Sequence, residues 1–456
     1  MISQGDTAEI EIRALSSQGD GIGELPDGLS VFVPNLLPGE RALVRLVRVK
    51  RSYGTGKVLS RIHTVDDRTP SACPWYGRCG GCQLQHASYP RQLILKKALL
   101  KDSLIRLGHF STEDLPIADC VPSPQNWGYR NKASFPIRSL RGKVTLGFFR
   151  RDSHSLVPIT CCPLIDPSLE KLMVQLQADL PGLGLEGYDE KTHSGDLRHL
   201  VLRRSHHSGE GAVLFVFRQE PLPKQLSSLR ALARRTRSSF PEFDSWAVNV
   251  QPEPGNAILG PRTRPLSGSP FFEERLGEHR LRLDGTSFFQ VNTLQAQNLY
   301  RHILNWLDEK KESPLLELYS GVGSLTLSLA RTGRHVISVE SWPPACHNLK
   351  HNLAQNKVTN VSCYEGRAEA FFRQPSTDAY GTVVLDPPRG GCAKEVLEGL
   401  ISAAPKRIIY VSCNPATLSR DLRFLIEGGY SILSLTPFDL FPQTAHVETV
   451  AVLEAN

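Results

Sequence analysis

From Leu315 to the C-terminus the sequence alternates short apolar runs with stretches of helical spacing, a pattern that admits few folds. The runs are Leu315 to Leu318, His335 to Glu340, Val361 to Tyr364, Thr382 to Leu385, Arg407 to Val411, Ser431 to Leu435 and Val447 to Leu453. Helical stretches fill the gaps between the first six, as a parallel, doubly wound α/β sheet requires. No helix separates the last two, so an antiparallel pair is expected at the sheet edge. A Rossmann-like domain of seven strands over residues 286–456 is the resulting expectation. Its ligands and reactive groups belong at the carboxyl ends of the strands.

The chain has 456 residues, too many for one core. Residues 1–62 carry short alternating segments, Ala8 to Ala14, Val31 to Pro34, Arg41 to Val49 and Lys57 to Ile62, with glycine turns at Gly21-Ile22-Gly23, Pro26-Asp27-Gly28 and Pro38-Gly39-Glu40. That spacing predicts a small OB-like β-barrel. Residues 63–285 read as a mixed α+β central domain that opens on a cysteine cluster, with helical spacing from Gln92 to Leu107. The N-terminal residues lack the basic and apolar regions of a signal peptide, and no apolar run would span a bilayer. A cytoplasmic monomer without membrane contact is expected.

Charge is placed unevenly. Arg41, Arg45, Arg48, Lys50, Arg51 and Lys57 lie in a stretch without an acid, as do Arg130, Lys132, Arg138, Arg141, Lys143, Arg150 and Arg151. The second stretch interleaves Tyr129, Phe135, Phe148 and Phe149. Cations for phosphates and rings for unpaired bases favour a polyanion as partner.

Leu316-Glu317-Leu318-Tyr319-Ser320-Gly321-Val322-Gly323-Ser324 reads as a strand, a glycine turn and a helix start. Glu340 ends the next strand, where a dinucleotide fold places the acid that holds a ribose. The third glycine of the phosphate-binding fingerprint is missing, and Asp386-Pro387-Pro388-Arg389 follows the fourth strand like the loop methyltransferases set between cofactor and target base. S-adenosylmethionine is therefore expected rather than a nicotinamide.

Cys413 lies in Val411-Ser412-Cys413-Asn414-Pro415, at the end of the fifth strand. An exocyclic nitrogen accepts a methyl group by simple displacement. Carbon 5 of a pyrimidine does not, because it becomes nucleophilic only after a thiolate adds to carbon 6, and a base must then remove the carbon 5 proton. Cys413 is the candidate nucleophile. Glu448, in Phe441-Pro442-Gln443-Thr444-Ala445-His446-Val447-Glu448, is the candidate base, with His446 as an alternative; Asp386 is a candidate partner for the target base.

These residues, with Ser287-Phe288-Phe289-Gln290-Val291-Asn292, resemble the RNA 5-methyluridine methyltransferases, in the branch with an N-terminal TRAM domain and an iron-sulfur cluster. The resemblance implies that Gln290, Tyr319, Glu340 and Asp386 bind the methyl donor, and that Cys413 and Glu448 are nucleophile and base. It implies 23S ribosomal RNA as substrate, with transfer RNA the alternative. Glu317 and Ser320 replace the aspartate and cysteine usual around the aromatic of the turn, and Arg367 replaces an Asn or Asp. Two rival readings are an amino-group methyltransferase, which leaves Cys413 and Glu448 without a task, and a non-catalytic RNA-binding or ribosome assembly factor, which the intact Cys413, Glu448, Gln290 and Asp386 oppose.

Ten cysteines in a chain expected to be intracellular suggest thiols and metal ligands rather than disulfides. Cys73, Cys79 and Cys82 need one more thiolate to complete a four-ligand site, and Cys161-Cys162 offers two. Spacing leaves a 4Fe-4S cluster and structural zinc both open. The resemblance implies the 4Fe-4S cluster and selects Cys162 as the fourth ligand.

Overall fold

A computed structural model describes residues 3–111, 115–307, 313–374 and 380–456. The C-terminal sheet comprises β15 (Leu315–Leu318), β16 (Val336–Glu340), β17 (Val361–Glu365), β18 (Thr382–Leu385), β19 (Arg407–Ser412), β20 (Tyr430–Phe438) and β21 (Glu448–Ala455) in the order β17-β16-β15-β18-β19-β21-β20. The pairings from β17 through β19 are parallel, and β21 runs antiparallel to both its neighbours, giving the expected antiparallel edge. Alternate residues feed two cores. Leu315, Val384, Ile409, Val411, Val450 and Val452 face one, while Leu316, Leu318, Val383, Leu385, Ile408, Tyr410, Ala451 and Leu453 face the other. Burial on both faces is why these strands read as unbroken apolar runs.

The strand order reverses between β15 and β18, which opens a crevice at their carboxyl ends. Helices α4 (Thr293–Asn305), α5 (Ser324–Ala330), α6 (Pro343–Gln355), α7 (Ala368–Phe372), α8 (Lys394–Ala403) and α9 (Pro415–Glu427) cover it. The hairpin of β13 (Phe272–Leu276) and β14 (His279–Leu283) packs on the same core through Phe272, Leu276, Leu281 and Leu283.

At the other end, β1 (Thr7–Leu15), β2 (Gly21–Glu24), β3 (Ser30–Val33), β4 (Arg41–Val49) and β5 (Gly54–His63) close a barrel in the order β1-β2-β3-β5-β4. The sequence analysis placed Gly21-Ile22-Gly23 in a turn, but these residues are strand. A Cβ on Gly23 would sit 2.1 Å from Ile10 Cγ2, and one on Gly21 2.9 Å from Ile12 Cγ2. The glycines make room for the barrel core rather than for a bend.

Between the ends lies a second seven-stranded sheet of β6 (Lys132–Leu140), β7 (Lys143–Phe149), β8 (Leu156–Pro158), β9 (Leu197–Arg204), β10 (Gly211–Phe217), β11 (Ser245–Val250) and β12 (Arg262–Ser267). Its core includes Leu169, Leu172, Met173 and Leu176 of α2 (Pro167–Asp179) and Leu229, Leu232 and Ala233 of α3 (Pro223–Ser239). Helix α1 (Tyr89–Gly108) ties the units together: Leu95 and Leu99 cluster with Leu15 and Leu37 of the barrel region, and Leu100 and Leu104 enter the C-terminal core.

Candidate active site

Strand register brings the predicted residues together. Leu318 pairs with both Val339 and Leu385, so Tyr319, Glu340 and Asp386 stand side by side one residue further along. Ser412 pairs with Thr449, so Cys413 and Glu448 are the next residues beyond that rung. All five meet at the crevice. Glu448 is buried and Cys413 half-buried.

Burial dominates the electrostatics. It pushes the Cys413 thiol up to about 11; the carboxyls of Glu448 and Asp386 push the same way, and the Arg389 guanidinium opposes them. Glu448 and Asp386 are both held well above the usual carboxylate range by burial, and Asp386 raises Glu448 further. A glutamic acid raised in this way can hold a proton near neutrality and, once ionised, is a strong base.

Two adjoining cavities fit an elongated ligand. The first, about 40 Å³, is lined by Gln290, Tyr319, Gly321, Ser324 and Asp386; the second, about 150 Å³, by Tyr319, Glu340, Arg367 and Glu369. Tyr319 stands between them at φ 64°, in a left-handed conformation that costs free energy for a tyrosine. Glu340 is fixed by backbone N–H groups: Gly321 donates to Oε2 at 2.9 Å, and Ser341 and Trp342 donate to Oε1 at 2.7 Å. Gln290 is aimed by its loop, because Asn131 Nδ2 donates to the Gln290 carbonyl at 2.9 Å and Asn292 caps α4 by accepting from Gln295 N–H at 3.2 Å. Of the departures noted in the sequence, Arg367 lines the second cavity, and Ser320 donates to the Val339 carbonyl at 3.4 Å. Glu317 is buried in the wall of the first cavity, with its carboxyl pushed up to about 8 by burial.

Sequence reasoning missed Phe288, which is 64% exposed beside Gln290 while its neighbour Phe289 is buried. An exposed ring on the lip of a crevice is a stacking surface for a base. Two aromatics in a row gave no way of telling which faces out. Arg389 and Asn414 join Cys413 around a further cavity of about 230 Å³, whose other walls include His446 and Gln18. His446 is exposed at the rim, with its ring 5.9 Å from that of Phe441.

The cysteines surround a cavity of about 360 Å³ lined by Cys73, Cys79, Cys82, Cys161 and Cys162 together with Trp75, Tyr76 and Phe148. Cys162 lies within electrostatic reach of Cys79 and Cys82, and Cys161 within reach of Cys73. Among the described residues, no three His, Cys, Asp or Glu side chains converge as ligands of a single ion would. Arg130 lines the same cavity; among the described residues its guanidinium meets Tyr129 and no carboxylate. An anionic, thiolate-bound group would complement that cation.

Comparison with known proteins matches residues 277–456 to the tRNA (uracil-5-)-methyltransferase family and residues 3–59 to the TRAM domain. An uncharacterized RNA methyltransferase of Gloeobacter violaceus is 39% identical over 99% of this chain and 97% of its own length. One from Halalkalibacterium halodurans is 36% identical over 99% of this chain and 98% of its own. Among solved structures, Pyrococcus abyssi tRNA (uracil-54, C5)-methyltransferase in complex with S-adenosyl-L-homocysteine superposes with a TM-score of 0.75 at 28% identity, covering 98% of this chain and all of that one.

Proposed function

The chain belongs to the RNA methyltransferases, with a TRAM barrel and a catalytic region of the tRNA (uracil-5-)-methyltransferase family, and we propose that it methylates carbon 5 of a uridine in 23S rRNA through a covalent adduct with Cys413. The observation that carries this reading is the rung that sets Cys413 beside Glu448 next to the Asp386 crevice. S-adenosylmethionine, bound along the two cavities that share Tyr319, supplies an electrophilic methyl group on a sulfonium. Glu340 holds the ribose, and Gln290 and Asp386 face the reacting end.

Cys413 adds as thiolate to carbon 6 of the uracil, and the displaced π electrons make carbon 5 nucleophilic enough to take the methyl group. Glu448 then removes the carbon 5 proton, and those electrons re-form the double bond as the Cys413 sulfur leaves. The uridine must be unpaired or flipped out to reach both groups. Exposed Phe288 is suited to stack on it. The barrel binds the RNA through exposed Arg45, Arg48, Lys50, Arg51 and Lys57, and the central domain through exposed Arg141, Lys143 and Arg150, since Arg130, Lys132, Arg138 and Arg151 of the second basic stretch are engaged within the protein. Cys73, Cys79, Cys82 and Cys162, which line one cavity with Arg130, would hold a 4Fe-4S cluster whose charge Arg130 would balance; its task would be structural, because methyl transfer consumes no electrons.

The resemblance to the cluster-bearing branch supports 23S rRNA. The Pyrococcus abyssi structure favours transfer RNA as the second reading. Incubating the protein and labelled methyl donor with 23S rRNA and transfer RNA transcripts, then mapping the modified base, separates the two. Label in 5-methyluridine of 23S rRNA is expected; label confined to transfer RNA would overturn the substrate assignment.

A further inference from the structure

The turn between β1 and β2 reaches far outside the barrel. Ser17 and Gln18 at its tip line the same cavity as Cys413, Arg389 and His446. The turn is seated rather than draped. Gly19 is buried at φ +78°, where a Cβ would lie 2.7 Å from Gln83 Cβ and 3.1 Å from Ala445 Cβ, so the backbone is wedged between the residue after Cys82 and the one before His446.

Its hydrogen bonds are closed internally. Ser16 Oγ accepts from the N–H groups of Gln18 at 3.2 Å and Asp20 at 3.0 Å, and Gly19 N–H donates to the Ser16 carbonyl at 2.8 Å. Arg151 clamps the turn from the central domain, donating to both Asp20 carboxylate oxygens at 2.5 and 2.7 Å and to the Gln18 carbonyl at 3.0 Å. Bidentate pairing of this kind fixes geometry as well as adding free energy. Among the described residues, the side chains of Ser17 and Gln18 have no hydrogen-bond partner, and both are exposed. A rigid support therefore presents an amide and a hydroxyl at the wall of the thiol's cavity.

We infer that this turn is a specificity element of the reaction pocket, in which Gln18 reads the base of a nucleotide adjacent to the target uridine. The inference rests on the proposed uridine methylation. A glutamine amide carries a donor and an acceptor side by side, which matches the edge of a single-stranded base. Arg389, across the cavity, supplies a cation for the connecting phosphate. The barrel then contributes sequence discrimination in addition to backbone affinity.

The test uses the full-length protein, the variants Gln18→Ala and Gly19→Val, and 23S rRNA transcripts in which the nucleotides immediately 5′ and 3′ of the mapped uridine are changed one at a time. For the wild type, kcat/KM should fall about tenfold when the read base is changed. Gln18→Ala should lose about tenfold on the native RNA and nothing more when that base is also changed. Gly19→Val should displace the turn and erase the same preference while S-adenosyl-L-homocysteine binding is kept. Wild-type preference retained by Gln18→Ala, an equal loss on every RNA, or no neighbour preference in the wild type would overturn the inference while leaving uridine methylation standing. A wild-type protein that methylates no RNA would instead remove the functional reading, and this inference with it.

Discussion

Lys96 offers the sharpest test of how the central domain holds the catalytic loop. It lies on the apolar face of α1, with its Nζ 2.5 Å from Asp439 Oδ1 and 2.9 Å from the Phe441 carbonyl, and both charged side chains are fully buried. Asp439 Oδ2 makes no hydrogen bond among the described residues, although the Tyr89 hydroxyl lies within electrostatic reach of the carboxylate. Lys96→Met keeps the bulk of the side chain but leaves a carboxylate in an apolar interior, at a cost of about 3–5 kcal/mol. In urea unfolding monitored by fluorescence, the midpoint should drop, with ΔG extrapolated to water lower by that amount. Removing both charges in Lys96→Met/Asp439→Leu should restore most of the loss, because the desolvation penalty disappears together with the pair. Residues 439–447 lead directly into Glu448, and Gln92 of the same helix holds Gln443 through hydrogen bonds of 2.9 Å in both directions. The single variant should therefore lower kcat more than it weakens RNA binding. A single variant within 1 kcal/mol of wild type, or a double variant as unstable as the single, would refute the reasoning.

Three further outcomes are expected. Burial raises the Glu317 carboxyl to about 8 in the folded chain, so its contribution to stability is present below the unfolded value and lost as pH rises through 8. Glu317→Gln should therefore raise the melting temperature at pH 9 and leave it little changed or lower at pH 5; equal shifts at both would contradict the burial argument. With the Cys413 thiol raised to about 11, kcat/KM for RNA should climb with pH from 6.5 to 9, approaching tenfold per unit, whereas a flat profile would argue against rate-limiting thiolate attack. Cys79→Ala should lower folding yield and iron content together, and normal iron in that variant would remove Cys79 from the ligand set.

The parts of the fold legible in the sequence are those where local pattern and burial agree. β15, β18 and β19 are buried on both faces, so their apolar runs marked both the strands and the ends where Tyr319, Asp386 and Cys413 stand. The glycines of β2 misled because Gly21 and Gly23 serve packing against Ile12 and Ile10, which a single strand's composition does not reveal. Lys96 reads as an ordinary surface lysine until Asp439 is brought to it from the far end of the chain. The same holds for Gln18 beside Cys413: tertiary folding alone creates that neighbourhood. Chemistry tied to strand ends was readable, while chemistry assembled between domains was not.

The central claim is that Cys413 forms a covalent bond to the uracil and that proton removal from carbon 5 releases it. Replacing the target uridine by 5-fluorouridine blocks that release, because fluorine cannot leave as a proton. With methyl donor present, a protein–RNA complex stable to denaturing electrophoresis should accumulate, map to Cys413 by peptide mass spectrometry and vanish in Cys413→Ala. A complex that survives Cys413→Ala, or none on an RNA the protein methylates, would contradict the account.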